Sequence, residues 1–257
     1  MLPAILTFGV LPAHLHQTQR PRDGKNLTRT QLAAAIREVF NVSYAISVIF
    51  GILAVVLCGR WSGLSRVVDL QDLAAHNVVE HDASLLHPDA AAPDAKRAPV
   101  DVDRALLREL LSVKTGSKGG DSESLTLGDL CAWQVRRFAA SRKLGRMHTL
   151  LAHAEVVLLY VAMGVRASRE LPERESTAGE GVEGNGPRES AGEMFDHVVP
   201  KRYIEQWFGD GRLPDGWTKP ERPIGHSVLS GGIKEVERIE AGMTRESVAS
   251  GAAAARG

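Results

Sequence analysis

Apolar side chains recur along this chain at helical rather than strand spacing. Leu32, Ile36, Val39 and Phe40 fall at i, i+4, i+7 and i+8, the stripe of a helix that buries one face. Thr28 or Thr30 stands where an N-cap belongs, and Pro21-Arg22-Asp23-Gly24 before it supplies the preset and positive φ angles of a turn. Residues 42–58 follow, 17 positions without a charge, ended by Gly59-Arg60. That length is at the lower edge of a bilayer span, with Ser43, Tyr44 and Ser47 diluting its start and Arg60 and Arg66 close behind it. A central helix buried on all sides gives the same pattern, and both readings stand.

Residues 69–86 read as a polar loop leading into a helix, 88–99 as a Pro-, Ala- and Asp-rich loop, and 102–111 as a short amphipathic helix. A Gly/Ser linker at 116–124 precedes a helix over 125–142 that Thr126 can cap. Residues 150–165 give an apolar helix around a single acid, Glu155, and 198–208 a last helix ended by Gly209. Residues 168–193 are Glu, Gly, Arg and Ser with few large apolar side chains, the composition of a disordered insert. The stretch 226–257, Ala-rich at its end, reads as a flexible tail, and residues 1–19 as an atypical N-terminal segment. No period-2 alternation marks a strand. The expectation is all-α, a single compact multi-helix domain over 20–225.

Composition adds exclusions. Lys+Arg and Asp+Glu both number 31 with no long basic run, which turns the reading away from nucleic acid. Cys58 and Cys131 are too few for a disulfide scaffold or a Cys-rich zinc site and are expected as buried free thiols. The start, residues 1–12, is apolar with no Lys or Arg before it and makes no convincing signal peptide. Asn26-Leu27-Thr28 and Asn41-Val42-Ser43 fit the N-glycosylation acceptor pattern and lean toward a secreted ancestry.

Three clusters carry candidate chemistry. In Glu80-His81-Asp82-Ala83-Ser84, a helix would put Glu80 and Ser84 on one face, where two oxygens can hold Mg²⁺ or Mn²⁺ with a main-chain carbonyl and an external anion. Asp82 would then orient the His81 ring by accepting its Nδ1 proton. A solvated helix end is the plainer alternative. Glu155, alone among Leu, Val and Ala, either sits in a pocket that raises its pKa, as a general acid/base needs, or lies on one wet face beside His148 and Ala152. Trp207-Phe208-Gly209-Asp210-Gly211-Arg212-Leu213-Pro214-Asp215-Gly216-Trp217 combines turn formers with aromatics and reads as a clasp closing a core.

Taken in order, these segments resemble the heme haloperoxidase family of heme-thiolate chloroperoxidases and unspecific peroxygenases. Pro21-Arg22-Asp23-Gly24-Lys25-Asn26-Leu27-Thr28 is similar to the turn after that family's heme-binding loop. His76-Asn77-Val78-Val79-Glu80-His81-Asp82-Ala83-Ser84-Leu85 is similar to its most distinctive block, and Gly211-Arg212-Leu213-Pro214 with Gly216-Trp217 to its C-terminal signature. The resemblance covers residues 20–225. It implies an all-α fold of the chloroperoxidase type, secretion, and a heme b used with hydrogen peroxide to oxidise halides or small organic substrates. It also implies Glu155 as the catalytic acid/base, assisted by His81 with Asp82 behind it. Glu80, Ser84 and the His81 carbonyl would bind Mg²⁺ or Mn²⁺ beside a heme propionate. The family's proximal Cys-Pro pair is not matched: residues 1–20 contain no cysteine, Leu2-Pro3-Ala4 and Leu11-Pro12-Ala13 have Leu where Cys belongs, and only His14 or His16 could ligate iron there. A truncated or wrongly joined N-terminus would account for this. So would a heme-free relative acting as an all-α binding or structural protein.

Overall fold

The computed structural model describes residues 23–113, 123–166 and 196–254, with side chains to residue 243. The expected N-terminal segment 1–19 and insert 168–193 lie outside the described residues, as does the linker up to residue 122. What is described is mainly helical: α1 (Arg29–Phe40), α2 (Tyr44–Leu57), α3 (Arg104–Ser112), α4 (Leu127–Ala140), α5 (Arg146–Met163), α6 (Lys201–Ile204, continued by a π turn over Glu205–Gly209) and α7 (His226–Ala254).

The helix starts follow from their caps. Thr28 accepts the Gln31 N–H at 3.3 Å while Gln31 Oε1 accepts the Thr28 N–H at 2.9 Å, a reciprocal box that satisfies two orphan donors. Thr126 and Asp129 repeat the device at α4, and Asp103 caps α3 through the Ala105 and Leu106 N–H groups. Helix α1 ends at Asn41, whose φ of +52° stops it. The Asn41 Nδ2 donates to the Pro220 and Glu221 carbonyls at 2.8 and 3.1 Å. The nitrogen to which a glycan would attach is therefore already engaged in tying down the C-terminal part of the chain.

Helix α2 corrects both readings of residues 42–58. It buries Ile46, Ser47, Gly51, Ala54 and Val55 and turns its other face to solvent. A Cβ at Gly51 would collide with the Arg29 carbonyl, so α1 and α2 meet backbone to backbone there. Among the described residues no helix is long and apolar enough to cross a membrane.

Strands, absent from the expectation, are present but short. A hairpin joins β1 (Arg60–Ser62) to β2 (Ser65–Val67), and β3 (Ser124–Leu125), β4 (Val165–Arg166) and β5 (His197–Pro200) form an antiparallel sheet in the order β3-β5-β4. Pieces of two to four residues are too short to show alternation. The expected helix over 198–208 accordingly begins one strand late, at Lys201.

The core lies around α4 and α5. Tyr160, Leu159, Val156 and Leu130 are fully enclosed. Trp207 stacks at tilted angles on Phe40 and Trp217, with centroids 5.4 and 6.2 Å away, and the Trp217 indole donates to the Ala162 carbonyl at 2.8 Å. The 207–217 segment thus closes the core as a clasp.

The flexible tail expected over 226–257 is instead helix α7 as far as Ala254, packed on α4 and α5. Val236 is fully buried, and His153 of α5 meets Glu240 at 3.1 Å. At Gly232 a Cβ would come within 2.5 Å of Val157, whereas at Gly231 it would meet nothing. Gly232→Ala is therefore expected to destabilise the protein by about 1–3 kcal/mol through overpacking. Gly231→Ala should stabilise it by up to about 1 kcal/mol through helix propensity. Urea denaturation of the two variants reads the difference; equal effects would mean that α7 does not dock on α5.

Candidate active site

The block 76–90 does not coil, although its sequence suggested a helix to residue 86. Asn77 and Ala83 hold φ angles of +59° and +61°, left-handed values a helix does not accept. The shared helical face expected for Glu80 and Ser84 fails for that reason. What replaces intrahelical bonding is α4. Gln134 Nε2 donates to the Ala83 carbonyl at 3.0 Å, Arg137 Nε to the Ser84 carbonyl at 2.8 Å, and Trp133 Nε1 to the Leu85 carbonyl at 2.9 Å. Three consecutive carbonyls are thus satisfied by three side chains of one helix.

Two aspartates finish the loop. Asp89 Oδ1 accepts from the Ala83 N–H, Arg137 Nη2 and the Ser141 hydroxyl, at 2.9 to 3.0 Å. Asp82 accepts from the Ala90 N–H at 2.9 Å and from Arg142 at 2.8 Å, with His76 Nε2 3.1 Å away. Burial pushes the Asp82 carboxyl up, but the Arg142 guanidinium and the Ala90 N–H overcome that and hold it below the usual aspartate range.

Against this loop α5 presents Glu155, fully enclosed, so the wet-face alternative does not hold. Its Oε1 accepts from the Ser84 hydroxyl at 2.8 Å and from the Leu85 N–H at 3.3 Å, while Oε2 stands 3.9 Å from His81 Nε2. Burial acts to raise its carboxyl, and the Ser84 hydroxyl on Oε1 acts to lower it. His81 Nδ1 faces the main-chain carbonyl of Asp82 at 2.8 Å and must carry its proton there. The Asp82 carbonyl, not its carboxylate, orients the ring. Burial lowers the pKa of His81, and a neutral ring of this tautomer turns a bare Nε2 toward Glu155.

Sequence reasoning missed His87, Trp133, Gln134, Arg137 and Arg142. His87 Nδ1 lies 4.0 Å from Glu80 Oε2, both deeply buried. Gln134 and Arg137, polar positions among Leu130, Trp133 and other buried residues of α4, were the available signal for a grip on something internal. The structure brings Glu80, His81, Ser84 and Glu155 into one neighbourhood and sends the Asp82 carboxylate away from it.

Glu80 and Ser84, the side chains expected to hold a hard cation, meet other groups here. The Ser84 hydroxyl is committed to Glu155, burial raises the Glu80 carboxyl toward its neutral form, and among the described residues no three His, Cys, Asp or Glu side chains converge on a metal position. Nor do they offer a thiolate for heme iron. Cys58 is half-buried at the end of α2, and burial pushes its thiol up. Cys131 is fully buried on α4 within the field of Glu235 and Glu240 of α7, and burial pushes its thiol to about 12.

The profile of a family described as "Peroxidase, family 2" matches residues 20–222. A search of the curated proteins found no match.

Burial drives His87 from 6.5 down to about 4, so the unfolded chain takes up this proton first as the pH falls. The stability that a neutral His87 contributes is therefore present above about pH 6.5 and is lost between there and about pH 4, by roughly 3 kcal/mol for a shift of this size. Thermal melts from pH 7 to pH 4.5 should show a smaller loss of Tm for His87→Gln than for the parent chain. An identical loss in both would place the acid sensitivity elsewhere.

Proposed function

The chain belongs to peroxidase family 2, and we propose that its buried Glu155 and His81 manage the proton of hydrogen peroxide in a heme-dependent oxidation of halides or small organic molecules. The observation that carries this reading is the unequal treatment of the two carboxylate oxygens. Oε1 is fixed by the Ser84 hydroxyl and the Leu85 N–H, and Oε2 faces the bare Nε2 of His81.

A carboxylate held at one oxygen keeps its orientation while the other oxygen gains and loses a proton. Glu155 Oε2 would accept a proton from one peroxide oxygen and return it to the other, which leaves as water; a bound heme would take up the remaining oxygen atom and supply the two electrons for O–O cleavage. His81 Nε2, 3.9 Å away, can hold that proton between the two events, because its Nδ1 stays bonded to the Asp82 carbonyl throughout. The burial of Glu155 and His81 limits competition from bulk water for the proton. Asp82 acts through structure, pinning Ala90 and Arg142, and not by touching His81.

A heme-free relative that serves as an all-α binding protein is the second reading. It is favoured by the absence of any cysteine other than Cys58 and Cys131. The test is peroxide-dependent oxidation of a small phenol by the full chain purified with hemin. Glu155→Gln, which can keep the Ser84 bond, should lower the rate by about 10²- to 10⁴-fold, the usual contribution of general acid/base catalysis. Equal rates for parent and variant would remove Glu155 from the chemistry, and no peroxide-dependent activity in the parent would favour the heme-free reading.

A further inference from the structure

Seven of the ten large hydrophobic side chains most exposed among the described residues lie between positions 44 and 64: Tyr44, Ile49, Leu53, Val56, Leu57, Trp61 and Leu64. Ile49, Leu53, Val56 and Leu57 share the outer face of α2, away from the Gly51, Ala54 and Val55 face that packs on α1, and Tyr44 stands at its N-terminus. The last two stand on the β1–β2 hairpin directly after it. Leu64 is 100% exposed at the turn that Gly63 makes with φ +60°, and Trp61 is 69% exposed. Concentration of this kind on one surface marks an interaction site, whereas single exposed apolar residues do not.

Helix and hairpin form one rigid unit. Arg66 donates from Nε to the Val55 carbonyl at 3.0 Å and from Nη2 to the Val56 and Gly59 carbonyls at 3.2 and 2.9 Å, closing the C-terminus of α2 with a cation. The same guanidinium lies 5.8 Å over the Trp61 ring, and Arg37 lies 5.4 Å over the ring of Tyr44 at the opposite end of the helix. Residues 37–68 hold Arg37, Arg60 and Arg66 against a single acid, Glu38. Arg60 is paired with Asp69 and Asp72, while Arg37 and Arg66 bring positive charge to both ends of the patch.

An apolar face bracketed by Tyr and Trp, with arginines at its ends and a protruding leucine at a tight turn, has the chemistry of a helix that lies in a lipid interface. A flat protein partner would leave the Leu64 tip without a matching surface. We propose that α2 and the β1–β2 hairpin dock this protein peripherally on an anionic lipid surface, with Leu64 and Trp61 entering the acyl boundary and Arg37 and Arg66 meeting headgroup phosphates. The helix lies along the surface, in keeping with its 14 residues. This inference is independent of the peroxide chemistry.

Cosedimentation of the full chain with vesicles tests it, using phosphatidylcholine alone and phosphatidylcholine with about a third phosphatidylserine. The expected result is binding to the anionic vesicles that weakens with added salt and falls at least tenfold in Leu53→Glu/Leu64→Glu, two exposed positions whose change leaves the core intact. Binding by neither vesicle, or equal binding by the double variant, overturns the proposal. A concentration-dependent dimer in light scattering that the double variant abolishes, without vesicle binding, overturns it in favour of a second copy of this chain.

Discussion

Trp133, Gln134 and Arg137 fall within two turns of α4 and reach three consecutive carbonyls of an irregular loop, those of Leu85, Ala83 and Ser84. A loop buried between helices has to satisfy its backbone groups or lose several kcal/mol. Here the satisfaction comes from side chains, which leaves the loop free to adopt the left-handed angles at Asn77 and Ala83. Those angles turn the Ser84 hydroxyl and the Leu85 N–H onto one oxygen of Glu155. The position of the buried carboxylate therefore descends from α4, although α5 carries it. Asp82 with Arg142 and Asp89 with Arg137 complete the frame, each acid pairing with an arginine from α4 or just beyond it.

How much of this could be read from the sequence depends on the range of the interaction. The caps at Thr28 and Thr126 are local, spanning three residues, and were legible. So was Glu155, because a lone acid in an apolar helix is conspicuous at any range. The conformation of residues 76–90 was not legible, since its partners are about fifty positions away and its local pattern imitates a helix. The outward face of α2 was hidden for another reason: apolar residues on all sides suggested burial on all sides, and nothing in the pattern said that one face lacks a partner. In α7 the Ala-rich end masked Ile233 and Val236, which sit at helical spacing on the face that meets the core. The family resemblance, drawn from ordered motifs, survived these local misreadings, and the match over residues 20–222 agrees with it at the level of a peroxidase.

The account is of an asymmetric centre. On the proposed reading Glu155 and His81 would be its acid–base half, each oriented by a bond on its far side. For a thiolate this sequence offers only Cys58 and Cys131. The two cysteines of the chain stand on other elements, and burial raises both thiols away from the thiolate that would bind iron. The sequence holds no third cysteine to supply it.

The visible absorption spectrum of the full chain purified with hemin, reduced and exposed to carbon monoxide, tests that asymmetry most directly. The account predicts no band at the long-wavelength position characteristic of thiolate-ligated heme. A clear thiolate-type band that disappears in Cys58→Ser or Cys131→Ser would contradict it, because one of these thiols would then have to reach the iron against the fold described.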